Sequence, residues 1–200
     1  MPLTFIAQGP MLIPSGGVTF DPAFKGTDVT LSNGNLTMTS PVGTTQSAVS
    51  TRSVSGGKRY FEVFMDNASS GVVTGLGWCI ASYNASLILG DTASADSLNN
   101  RSQGVLRFNN NTLNFGGSWT TGGVGMIAMD FTNALIYTGR NGVWDGSMDP
   151  VAGTGGVTVP SMPAGPYFAA ALTHDGATQT GHFSAATSLY LPVGWLTWSD

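Results

Sequence analysis

The clearest strand signal in the sequence is Lys58-Arg59-Tyr60-Phe61-Glu62-Val63-Phe64-Met65. Successive side chains of a β-strand point to opposite sides of the sheet. The side chains of this stretch therefore fall into two sets, one on each face of the sheet: Tyr60, Glu62 and Phe64, and Phe61, Val63 and Met65. Both faces carry aromatic rings, which is typical of a central strand that is covered on both sides.

Similar short runs, apolar or alternating and bounded by turn residues, recur on both sides of this stretch. Helix-forming runs are nearly absent, because the 28 Gly and 10 Pro residues interrupt almost every ten-residue window. The expected strands lie at residues 29–38, 48–52, 58–65, 75–81, 105–108, 112–115, 124–131, 134–138, 167–173 and 181–183. So many closely spaced strands without intervening helices predict an all-β antiparallel sandwich or barrel.

The residues between the runs predict how the strands connect. Asn33-Gly34 and Asn141-Gly142 lie between apolar flanks, where a hairpin turn needs a positive φ. Residues 130–135 predict a tighter reversal between two strands. The longer links at 82–104 and 147–166 are rich in Gly, Ser, Asn, Asp or Pro, and β proteins often carry their binding surfaces on such loops.

The composition excludes several classes of partner. Charged residues make up 9% of the chain, against about 25% in average proteins. The seven Lys and Arg residues are scattered, so no basic stripe could neutralise phosphates, and we expect no nucleic-acid binding. No apolar run approaches the roughly 18 residues of a membrane-spanning helix, so we expect no membrane insertion. Such a neutral surface suits a chain whose neighbours are proteins or sugars.

The chain is expected to divide into an arm, residues 1–17, and a sandwich, residues 18–200. Prolines interrupt the arm, and it lacks the basic start of a signal peptide, so we expect synthesis in a cytoplasm without export by a standard signal. Its apolar side chains would attach the protein to a neighbour: Leu3, Phe5, Ile6, Met11, Leu12 and Ile13. The single cysteine, Cys79, lies among apolar residues and is predicted to be a core thiol.

Six segments, taken in order, resemble a SPRY domain, the two-sheet concanavalin-like β-sandwich of many interaction proteins. They span roughly residues 20 to 196: 57–63, 75–78, 122–130, 134–142, 166–172, and Phe183 with 191–195. The chain departs from the family where Gly123 replaces the usual Asp and where the 82–104 loop lacks the aromatics that many members show. The resemblance implies an antiparallel two-sheet SPRY-like sandwich.

A finer resemblance is to the SPRY-like modules in structural proteins of tailed bacteriophages. Residues 20–36 resemble the opening of such modules, and 142–146 followed by 149–155 look like their extended hairpin loop. This resemblance implies binding or particle architecture rather than catalysis. Because a fold does not fix a function, the implication is an analogy.

Signatures of catalysis are missing from the sequence. His174, Asp175 and His182 could approach across a hairpin and hold a metal, but a polar turn with hydrogen-bonded histidines explains them more simply. A glycosidase needs two carboxyl groups at a defined spacing, and Glu62 is the only glutamate. We therefore expect a non-enzyme with no cofactor and no metal.

Aromatic residues in loops are the better signal of function. Trp119, Trp144 and Tyr83 are flanked by small polar residues, as on a stacking platform for sugars or an anchor for a peptide. With the adjacent Asn84 and Asp145 they form the predicted ligand-binding set. The competing interpretation is that each ring folds back and caps an open end of the sandwich. We expect the other three tryptophans to pack in the core or at its edge: Trp78, Trp195 and Trp198.

Together these observations predict a non-enzymatic structural or decoration protein in the virion of a bacteriophage, on head or tail. Its expected partners are other virion proteins and further copies of itself, with the loops facing outward. The alternative is a glycan-binding adhesin, a tail-fibre or receptor-binding module that recognises a host-surface sugar or protein through its loop aromatics.

Overall fold

The computed structural model describes residues 17–68, 74–93 and 95–200. In these ranges the chain forms β-strands and no α-helix. The strands are β1 Phe20–Lys25, β2 Thr30–Ser32, β3 Thr37–Thr39, β4 Thr45–Val54, β5 Lys58–Asn67, β6 Gly75–Ile80, β7 Ser97–Arg101, β8 Val105–Phe108, β9 Asn111–Phe115, β10 Val124–Asp130, β11 Leu135–Arg140, β12 Val143–Trp144, β13 Val157–Thr158, β14 Tyr167–His174 and β15 Thr178–His182.

The strands form two antiparallel sheets. A 7-stranded sheet has the order β1-β4-β14-β6-β7-β8-β9, and an 8-stranded sheet has the order β12-β11-β10-β5-β15-β3-β2, with β13 beside β11. The two sheets enclose one large apolar core. The predicted all-β, two-sheet sandwich is therefore confirmed.

Strand β5 is central in the 8-stranded sheet, between β10 and β15. Its inner side chains Phe61, Val63 and Met65 lie fully buried between the sheets. The ring of Phe61 stacks on Phe183 with a centroid distance of 4.9 Å. On its outer face, Tyr60 packs with Met126, Tyr137, Met148 and Trp195 in a second apolar cluster. The prediction that this strand is covered on both sides is confirmed.

The outer face of the 7-stranded sheet is covered as well. Val49, Cys79 and Leu172 pack there against Tyr83 and Leu89, which follow β6 in the chain. Cys79 is fully buried, and that burial raises the pKa of its thiol well above the usual value. The predicted core thiol is confirmed, and each sheet is thus covered outside by a long loop or segment.

Four strands were not predicted from the sequence: β1, β7 and the two-residue strands β12 and β13. Strand β1 contains Pro22, which argues against a strand, but β1 is an edge strand, where Pro is tolerated. Strand β7, Ser-Leu-Asn-Asn-Arg, lies inside a segment predicted as a link, because only Leu98 carries an apolar side chain to the core. It packs tightly on β6, where a Cβ on Gly77 would lie 1.8 Å from the Leu98 carbonyl oxygen.

The predicted arm residues, Leu3, Phe5, Ile6, Met11, Leu12 and Ile13, lie outside the described residues. The first apolar residue that the structure describes, Val18, is buried in the main core. Within the described ranges, no helix is long and apolar enough to cross a membrane.

Candidate functional site

Trp119 lies in the main core and not on a loop surface. It is 6% exposed, and its indole ring lies against the backbone of Gly125, where an added Cβ would come within 2.4 Å of the ring. The backbone N–H of Trp119 donates to the carbonyl of Ser102 at 2.9 Å, which joins this segment to the end of β7. The expectation that Trp119 offers its ring to a ligand is wrong for this structure. Gly125 has no side chain, and this leaves room for the indole to pack between the sheets.

Tyr83 is buried too, at 3% exposure, in the cluster outside the 7-stranded sheet. Its hydroxyl lies 2.8 Å from Ser47 Oγ and donates to the Leu87 carbonyl at 2.7 Å. The ring is therefore unavailable for stacking, which corrects the predicted role of Tyr83. Asn84 is exposed, and its Oδ1 accepts the Ser86 N–H at 3.0 Å, so it shapes the turn.

Asp145 is a structural carboxylate, contrary to the expectation of a ligand-binding side chain. It is 6% exposed and accepts hydrogen bonds from Thr138 Oγ1 at 2.8 Å and from the Gly117 N–H at 2.9 Å. Arg140 forms an ion pair with it at 2.5 Å. A Cβ on Gly117 would collide with the Arg140 guanidinium, so this glycine makes room for the pair. Asp145 thereby ties the 116–117 loop to the β11–β12 hairpin.

We expect Asp145→Asn to lower the free energy of unfolding by about 2 kcal/mol, because the partly buried ion pair with Arg140 is lost and the amide accepts fewer hydrogen bonds than the carboxylate. Asp149→Asn is the matched control. Asp149 is exposed and accepts the N–H groups of Val151 and Ala152 at 2.9 Å, which an Asn side chain can do equally well. Denaturant unfolding measures both variants, and equal stabilities would contradict the structural role of Asp145.

Trp144 occupies an intermediate position at the edge of the 8-stranded sheet. It is partly buried against the outer apolar cluster, and its ring meets Tyr60 edge to face with a centroid distance of 6.3 Å. The structure therefore does not bring the predicted set together. Trp144 and Asp145 belong to the β12 hairpin, Trp119 lies between the sheets, and Tyr83 and Asn84 lie outside the 7-stranded sheet.

A groove lies along the loop that covers the 7-stranded sheet. Its volume is about 520 Å³, and its lining is Leu87, Ile88, Asp91, Thr92 and Ala93. Leu87 is 48% exposed there. Two arginines from the sheet below fix one wall, since Arg101 and Arg107 both pair with the Asp91 carboxylate. Tyr83 holds the rim through its hydrogen bond to the Leu87 carbonyl.

A second apolar surface, formed by exposed side chains, lies outside the 8-stranded sheet. Among the described residues, eight large apolar side chains are exposed, and six of them come from the carboxyl-terminal segment and the loops that it touches. We call this set the C-terminal face: Val143, Val151, Leu189, Tyr190, Val193 and Leu196.

Contacts between segments hold the C-terminal face together. A Cβ on Gly142 would lie 2.8 Å from the Tyr190 ring, so this ring covers the turn before Val143. The indole N–H of Trp195 donates to the Pro150 carbonyl at 3.1 Å, beside Val151. The Tyr60 N–H donates to the Leu196 carbonyl at 2.8 Å. The exposed side chains thus stand on a fixed backbone.

A buried carboxylate anchors this segment to the sheet. Glu62 is fully buried in β5. Its Oε1 accepts the Leu189 N–H at 2.6 Å and lies 2.9 Å from His182 Nδ1. Its Oε2 accepts the Tyr190 N–H at 3.2 Å and a short hydrogen bond from the Tyr60 hydroxyl. Burial and the Glu62 charge raise the pKa of Tyr60, which keeps that hydroxyl protonated as a donor.

The two histidines have separate partners. His182 contacts Glu62, whereas His174 Nδ1 contacts Thr45 Oγ1. Asp175 accepts the Gly43 N–H at 2.8 Å. In the part of the chain that the structure describes, no group of three His, Cys, Asp or Glu side chains could hold a metal ion.

Sequence reasoning missed both the C-terminal face and the Glu62 anchor. The run Leu189-Tyr190-Leu191-Pro192-Val193 is apolar in a largely polar neighbourhood, and that signal could have marked the face. Three of the four partners of Glu62 lie 120 or more residues away in the chain, at His182, Leu189 and Tyr190, so no local pattern reveals them.

Comparison with solved structures identifies the fold. The SPRY domain of human HERC1 superposes with a TM-score of 0.64 and 15% identity, over 81% of this chain and 96% of that chain. The PSpry domain of TRIM65 superposes with a TM-score of 0.58 and 12% identity, over 83% of this chain and 92% of that chain. No family model and no curated protein matches the sequence. The two-sheet architecture and these likenesses show that the chain has the SPRY fold.

Proposed function

We propose that this SPRY-like sandwich is a non-enzymatic assembly protein that packs against partner proteins through its C-terminal face. The observation that carries the proposal is the concentration of six exposed large apolar side chains on this face. Apolar residues that are exposed singly are ordinary, whereas a contiguous apolar surface marks an interaction site. A partner protein with an apolar surface of its own is the expected occupant.

The charge distribution supports a permanent contact. Val193 is 83% exposed, and the Lys58 ammonium group lies over the neighbouring Trp195 ring with a distance of 5.5 Å to its centroid. With 9% charged residues, the chain has little charge with which to keep apolar surfaces apart. Apolar surfaces that few charges accompany favour association when they are left uncovered.

The particle that we propose is a bacteriophage virion, with the protein on head or tail as a structural or decoration protein in several copies. Support comes from the resemblance of residues 20–36 and 142–155 to modules of phage structural proteins. The second segment contributes Val143 and Val151 to the C-terminal face. The glycan-binding alternative loses support, because Trp119 and Tyr83, two of its three rings, are buried.

Val193→Asp is expected to reduce incorporation of the protein into particles roughly thirtyfold, because an unpartnered carboxylate placed in an apolar interface costs about 2 kcal/mol or more. The fold should be unaffected, since Val193 is exposed. Val42→Asp is the matched control: Val42 is 81% exposed against 83% for Val193, and it lies outside the C-terminal face.

The measurement replaces the gene in its natural genome and counts copies of each variant in purified particles, beside thermal unfolding of the isolated proteins. Equal incorporation of the two variants would refute the role of the C-terminal face. A folded parent protein that is absent from every particle fraction would refute the virion role itself.

A further inference from the structure

Two Asn-Gly pairs lie at hairpin turns, and they differ in how their side chains are held. Asn33-Gly34 joins β2 to β3, with φ values of 50° and 62°, and Asn141-Gly142 joins β11 to β12, with 48° and 80°. A glycine after an asparagine leaves the backbone nitrogen open to the amide carbon of the asparagine side chain, because no Cβ shields it. Either pair has the local chemistry for deamidation.

Asn141 is fixed in a conformation that opposes this reaction. Its Oδ1 accepts the Val124 N–H at 2.7 Å, and its own N–H donates to the Val124 carbonyl at 3.0 Å. The nitrogen that would attack, that of Gly142, donates its hydrogen to Met126 Sδ at 3.2 Å. The Tyr190 ring covers this glycine. Both reacting groups are therefore engaged and shielded.

Asn33 has no comparable restraint. Asn33 and Gly34 are both exposed, and Asn33 Nδ2 makes a long contact of 3.4 Å with Thr37 Oγ1. The turn is closed by the backbone, since the Leu36 N–H donates to the Asn33 carbonyl at 3.2 Å. The Asn33 side chain can rotate without breaking the hairpin.

We propose that Asn33 is a site of spontaneous deamidation and that Asn141 is protected from it. The Gly34 nitrogen loses its proton and attacks Asn33 Cγ, so that a new C–N bond forms while the Cγ–Nδ2 bond breaks. The released amide nitrogen takes up the proton and leaves as ammonia. Water then opens the resulting succinimide ring at one of its two carbonyls and leaves either aspartate or isoaspartate. No oxidant or reductant is needed.

The product adds one negative charge at the tip of the β2–β3 hairpin. The isoaspartate form also inserts an extra backbone carbon there, which disturbs the short pairing of Ser32 with Thr37. Strand β2 is three residues long and lies at the edge of its sheet, so the sandwich stays folded. The modification therefore alters the surface of an intact protein, and it is independent of the proposed assembly function.

The test is peptide mapping of the full-length protein during incubation at mildly alkaline pH and body temperature. In the folded protein we expect Asn33 to convert about tenfold or more faster than Asn141, because hydrogen bonds at Asn141 must break first. In strong denaturant the two rates should approach each other, since the structural protection is gone. Asn33→Gln should abolish the added charge seen by ion exchange.

Two results would overturn the proposal. One is conversion of both asparagines at equal rates in the folded protein. The other is an intact Asn33 in the folded protein over a period in which the denatured chain converts completely.

Discussion

Trp119→Ala is expected to lower the free energy of unfolding by about 3–5 kcal/mol, the range for large aromatic residues removed from a core. The indole fills the space above Gly125 between the sheets, and the glycine offers no side chain that could close the cavity. The neighbouring β10 backbone is paired on both sides, with β5 and β11, and cannot move in. Denaturant unfolding with matched m-values is the measurement.

Trp119→Phe is the matched control. The indole nitrogen of Trp119 has no hydrogen-bond partner among the described residues, so replacing the indole by a phenyl ring breaks no polar contact. We expect the free energy of unfolding of this variant to fall by less than about 1.5 kcal/mol, as it does in shape-conserving core substitutions. If the Ala variant were as stable as the parent, the ring would not be a core element, and a binding role for Trp119 would return.

Alternation of apolar side chains was a reliable guide wherever both partners of a pairing are apolar. The stretch around Tyr60 predicts β5 and its central position, and residues 124–131 predict β10, which pairs with it. Strand β7 was not predicted because it carries two buried polar residues, Asn99 and Asn100, at positions where apolar residues are usual. Its place in the sheet depends on Gly75 and Gly77 of β6, and a local pattern does not reveal such a fit.

The candidate site was harder to predict for a related reason. Small polar residues around Trp119 correctly mark a loop, but they say nothing about the direction of the ring. That direction follows from Gly125, which belongs to the next strand. Tyr83 likewise turns inward because Ser47, on the distant strand β4, lies within hydrogen-bond distance of its hydroxyl. Whether an aromatic ring in a loop is exposed thus depends on contacts with distant parts of the chain.

The same argument explains why the sequence places Glu62 on a face of a covered strand and argues against a glycosidase, but does not predict its anchoring role. A lone glutamate within an aromatic strand is typical either of a catalytic carboxylate or of a structural anchor. The structure places four hydrogen-bond contacts on its two oxygens, two of them from the backbone of Leu189 and Tyr190. A carboxylate with its oxygens occupied in this way fixes a segment of chain.

We expect Glu62→Gln to lower the free energy of unfolding by about 3–5 kcal/mol, the usual cost of breaking a buried, hydrogen-bonded charge network by changing one partner. The amide group of Gln supplies hydrogens where the carboxylate accepts them. At least one of the donors from Tyr60, Leu189 and Tyr190 would then face another donor in a site without solvent. The carboxyl-terminal segment should loosen first.

Hydrogen exchange separates this anchoring role from a general loss of stability. In Glu62→Gln, the amides of Leu189 and Tyr190 should exchange faster than those of β10, which remains paired with β5 and β11. Asp66→Asn is the matched control on the same strand. Asp66 is exposed and accepts a hydrogen bond from the Thr180 hydroxyl at 2.7 Å. Replacing it by Asn should lower the free energy of unfolding by less than about 0.5 kcal/mol. If both variants were equally stable, or if exchange rose uniformly over the sandwich, Glu62 would not be the anchor that holds the C-terminal face in place.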